Sequence, residues 1–158
     1  MHDEERARAD LRRQGFIPCN DPPVLAILKD TFALVKSIFP SEVARVHLVL
    51  LDVFITEEQP KQSPAFECDG LSSFWRDGKS GFYSAICISA STICTGTEYL
   101  IMVFLHELAH LLIERDLPST TEKLPHDEVF ECMLNELLNE FSRKTGMRLQ
   151  NDYSQYGE

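Results

Sequence analysis

Hydrophobic positions recur at helical spacing in three stretches of the chain and run almost unbroken in two others. Leu25, Leu28, Phe32, Val35 and Phe39 fall three to four residues apart. That spacing predicts a helix opened by Asp21-Pro22-Pro23, with Asp21 as N-cap and proline in the first turn, and stopped by Pro40. Val46 to Ile55 is rich in β-branched and aliphatic residues and predicts a strand, as does Phe82 to Ser89. Between them, Thr56 to Gly81 carries Pro, Gly, Ser and charges, and is expected to be irregular or loosely hairpinned. A second helix is expected from an N-cap at Thr97 to about Arg115, ended by Pro118. A last one begins near Pro125-His126 and closes at Gly146. Residues 1–14 alternate acids and arginines and read as an exposed helical arm. The order helix, strand, irregular hairpin, strand, helix, helix predicts a small α+β domain.

Composition narrows the picture. With 158 residues, 44% hydrophobic and 25% charged, the chain can bury one compact core and is not a disordered tail. A formal net charge of −10 repels phosphate backbones and anionic lipids, so nucleic acid is not an expected partner. The arginines at 6, 8, 12 and 13 are interleaved with acids and read as a solvated face rather than a nucleic-acid arm. No uncharged apolar run is long enough to span a bilayer, and the charged start MHDEERARADLRRQ has no apolar core of a signal peptide. Five cysteines, an odd number with no CxxC pair, point to a reducing compartment, hence the cytoplasm. Cys87 and Cys132, among apolar neighbours, are expected to be small buried hydrophobes.

Chemistry concentrates in His106-Glu107-Leu108-Ala109-His110. Two histidines four apart stand on one helical face, a turn apart, so both imidazoles can reach one metal ion. Imidazole nitrogen at roughly 2.0–2.1 Å suits Zn²⁺. Glu107, one residue round the helix, lies beside that ion and can take a proton from the water it activates. Met102-Val103-Phe104-Leu105 and Leu111-Leu112-Ile113 flank the motif. Burying two histidines and a glutamate in such a helix would be costly if they lacked partners.

A catalytic zinc site takes a third protein ligand and leaves one position for water. Two residues on the last helix can supply it: His126 at its mouth, and Glu131 one and a half turns further in. Asp127 and Glu128 read instead as first-turn acids favoured by the helix dipole.

Gly81-Phe82-Tyr83-Ser84-Ala85-Ile86-Cys87-Ile88-Ser89, then the HELAH helix, then His126-Asp127-Glu128-Val129-Phe130, together resemble the SprT-like (Spartan-type) zinc metallopeptidases. His126 and Phe130 match that family's H-x-x-x-F spacing, although Asp127-Glu128 stands where the family has Gly-Pro. The resemblance covers about residues 81 to 141. It implies a minimal zincin-like metalloprotease domain, a small mixed or antiparallel sheet packed on the HExxH helix and the helix that follows. It further implies His106, His110 and His126 on zinc, Glu107 as general base and a protein or peptide substrate. A second resemblance, to ImmA-like gluzincins, rests on Glu131-Cys132-Met133-Leu134-Asn135 and would make Glu131 the third ligand. A non-catalytic interaction module holding zinc structurally is the reading from a different class; Glu107 argues against it, since a purely structural site needs no acid there.

Lesser expectations complete the reading. Ala85 to Ser89 is a candidate edge strand for an extended substrate. Tyr83, Tyr153 and Tyr156 are candidates to stabilise an oxyanion, though packing or tail roles suit them better. His47 is expected as a hydrogen-bonded core residue within the first strand, and Trp75 either lines a cleft or anchors its loop.

Overall fold

The computed structural model describes residues 2–55, 69–77, 81–116 and 128–149. Within them lie α1 (His2–Arg13), α2 (Pro22–Ile38), α3 (Pro40–Arg45), β1 (Leu48–Phe54), β2 (Gly70–Asp77), β3 (Gly81–Ser89), α4 (Ala90–Thr95), α5 (Thr97–Asp116) and α6 (Glu128–Thr145). The class is α+β, and the sheet is mixed: order β1-β3-β2, with β3 parallel to β1 and antiparallel to β2.

Several elements differ from the pattern's forecast for local reasons. Proline 40 ends α2 but also opens α3, because a ring without an N–H is at home in a helix's first turn. The turn expected after β3 is the short helix α4, started by Ser89, whose hydroxyl accepts from Thr92 N–H at 3.1 Å. Gly96, at φ 150°, separates α4 from α5, and its carbonyl accepts from Leu100 N–H, so Thr97 is the first helical residue rather than the cap. Asp21 holds the N-cap position of α2 through its carbonyl, which accepts from Leu25 N–H, and not through its side chain.

The sheet is covered on both faces. On one, Val53, Ile86 and Ile88 pack into a large core around α5, with α2, α3, α4 and α6 contributing. α5 is buried almost continuously from Tyr99 to Ile113 and forms the central rod of the domain. On the other face, Leu50, Phe54, Ala85 and Cys87 meet Ala7 and Leu11 of α1 and the following Phe16. Residues 2–14 are thus not an exposed arm: α1 is helical as expected but docked, because Ala7 and Leu11 form an apolar stripe among its charges. Arg8 fixes it with a 2.6 Å ion pair from Nη1 to Asp52 Oδ2 in β1.

Two further expectations are corrected. His47 is not a core strand residue; it sits exposed in a turn before β1 at φ 45°, and only its carbonyl serves the sheet, accepting from Ser84 N–H. Cys132 is exposed on α6, whereas Cys87 is buried. The buried face of α6 is carried by Phe130, Leu134, Leu137, Leu138 and Phe141, a spacing that turns Cys132 outward.

Candidate metal centre

The HELAH sequence lies in the middle of α5. His106 is 3% exposed and Glu107 5%, between Phe104, Leu105, Leu108 and Ala109, all of which are buried. His110 is partly exposed, so this face of α5 reaches the surface at one end. The two imidazole centroids stand 4.9 Å apart, as helical spacing requires.

Phe130, in the first turn of α6, closes the histidines from one side. Its ring stacks on His110 at 4.4 Å, with 27° between the planes, and meets His106 edge-on at 4.8 Å. The start of β2 closes Glu107 from another. A Cβ built on Gly70 would lie 2.8 Å from Val103 Cγ1, 3.2 Å from Ile88 Cδ1 and 3.3 Å from Glu107 Cγ, so only glycine lets the strand approach this closely. The buried Glu107 and His106, with the partly exposed His110, thus sit where α5, the start of α6 and the start of β2 converge.

Two donors of the kind zinc takes stand together here. Two imidazoles held in register by one helix, with a carboxylate beside them, match the nitrogen-rich ligation and adjacent base of a catalytic zinc site. Among the described residues no group of three His, Cys, Asp or Glu side chains gathers to hold a metal ion; Glu131 is half-buried in α6. His126 lies outside the described residues, as do Asp127, Tyr153 and Tyr156.

Other expected site residues fall elsewhere. Tyr83 and Trp75 stack on each other at 5.0 Å, with the Arg6 guanidinium over Tyr83, on the sheet face covered by α1. β-strand alternation turns them away from α5, so neither lines the HELAH site. Ala85 to Ser89 is not an edge: β3 is the central strand, paired on both sides, and the edge beside α5 is β2. Gly70, against Glu107, is a residue the sequence pattern does not point to. A lone glycine opening a strand, as in Asp69-Gly70-Leu71, was the available signal of a close approach.

Comparison with protein-family models, with curated proteins and with solved structures finds no match.

Proposed function

We propose that this chain is a zinc-dependent peptidase of minimal zincin type, with His106, His110 and His126 as ligands and Glu107 as general base. The observation that carries the reading is the burial of His106 and Glu107 in an otherwise apolar helix, one against an aromatic wall and the other in a gap cleared by glycine. Zn²⁺ held there would act as a Lewis acid, bringing the pKa of water to about 7. Glu107 receives the proton of the attacking water and returns it to the leaving amine. Phe130 restrains both imidazole rings, leaving their nitrogens less freedom to swing from the ligating geometry. An extended peptide laid along the outer edge of β2 passes the Glu107 end of that strand, and backbone hydrogen bonds would hold it with little regard to its sequence.

Metal analysis tests the assignment. Purified protein should carry about one zinc per chain, and His110→Ala should lose most of it. Hydrolysis of an unstructured protein such as casein should stop on chelation and return with zinc. A wild-type protein that holds no zinc at micromolar supply contradicts the proposal.

A further inference from the structure

Tyr99, Val103 and Glu107 are spaced four apart and share one face of α5. The start of β2 runs along that face. Asp69, the residue before β2, is tied to α5 and α4 at several points. Its Oδ2 accepts from the Tyr99 hydroxyl, and its carbonyl oxygen accepts from Ser89 N–H at 2.9 Å. The Thr92 hydroxyl donates to the same carbonyl at 3.0 Å and to Asp69 Oδ1 at 3.2 Å. With that proton committed, Ser89 Oγ donates to Thr92 Oγ1 at 2.8 Å while accepting from Thr92 N–H. The next residue, Gly70, is the one whose missing side chain leaves room for Val103 and Glu107.

We infer that Tyr99 and Asp69 are positioning residues for Glu107: their bond holds Gly70 at a fixed height over the Tyr99–Val103–Glu107 face, and the glycine forms the wall against which the base is aimed. The inference rests on the reading of Glu107 as general base. A glutamate has three rotatable side-chain bonds, and a base works only within hydrogen-bond reach of its proton. Contact with the strand removes orientations that would carry the carboxylate away. The latch spans both ends of the relation, since Tyr99 lies two turns before Glu107 on the same helix.

Tyr99→Phe removes the hydroxyl and keeps the ring. In the full chain, amide hydrogen exchange at residues 70–72 should quicken about 10-fold, with or without zinc, while α6 and β1 keep their protection. Zinc-to-protein ratio should match wild type, and kcat on fluorescein-labelled casein should fall about 10-fold with KM little changed. Gly70→Ala combined with Val103→Ala removes the tightest clash but leaves the methyl against Glu107; it should keep zinc and also lose kcat. Unchanged exchange at residues 70–72 in Tyr99→Phe overturns the latch, whatever the activity of the wild type. Quickened exchange with wild-type kcat overturns the positioning role. Wild-type protein that binds no zinc and cleaves nothing overturns the peptidase reading instead, and the exchange result still judges the latch separately.

Discussion

Phe130 has two tasks that a substitution can separate. It is 2% exposed and packs in the core, and its ring is also the wall against both imidazoles. Phe130→Leu keeps most of the volume and removes the flat face. Stability to urea should fall by only about 1 kcal/mol, while zinc affinity, measured by competition with a chromogenic chelator, should drop about 10-fold as the ligands loosen. The cysteines report on the packing independently. Burial pushes the Cys87 thiol well above its ordinary range, with the Asp52 carboxylate adding to the effect. A raised pKa means less thiolate at any working pH, so the reactive form is suppressed as well as shielded. Iodoacetamide at mildly alkaline pH should therefore modify Cys94 and Cys132 in the native protein and spare Cys19 and Cys87, as read by peptide mass spectrometry.

Among the elements, α1 is the one whose role was least visible. Its charges dominate the sequence, and among its described side chains only Ala7 and Leu11 are buried, one turn apart. Leu11→Ala should cost about 2–3 kcal/mol in urea unfolding, a loss that a free arm would not show. Helices α2, α5 and α6 were legible because their apolar spacing is long and their ends carry Pro or Gly signals. β2 was not. Leu71 and Trp75 face α1 while Phe74 faces α5, so both sides of the strand are apolar and the alternation that marks a strand disappears. The short helices α3 and α4 have only 6 residues each, too few for any periodic signal, and were read as a stop and a turn.

For the whole molecule, the formal net charge of −10 disfavours a polyanionic partner. Three arginines are already engaged: Arg8 with Glu4 and Asp52, Arg13 with Asp10, and Arg143 with Glu140. At physiological salt the protein should give no anisotropy change with a labelled DNA duplex; tight, steeply salt-dependent binding would require a cationic surface this charge distribution does not supply. Among the described residues no helix is long and apolar enough to cross a membrane. The histidines and the glutamate of the candidate site were legible because their spacing is set by a single helix. Gly70 and Asp69 were not, because they reach α5 from more than 25 residues away through a strand that had no pattern of its own.

If Glu107 moves the proton while the imidazoles hold the metal, Glu107→Gln separates those tasks. The amide keeps the size of the carboxylate at a buried position and cannot accept the proton. Measured beside wild type, the variant should retain the same zinc-to-protein ratio and the same unfolding midpoint, and lose casein hydrolysis by about 10²- to 10⁴-fold. Wild-type rates from a zinc-loaded Glu107→Gln protein would rule out Glu107 as the base.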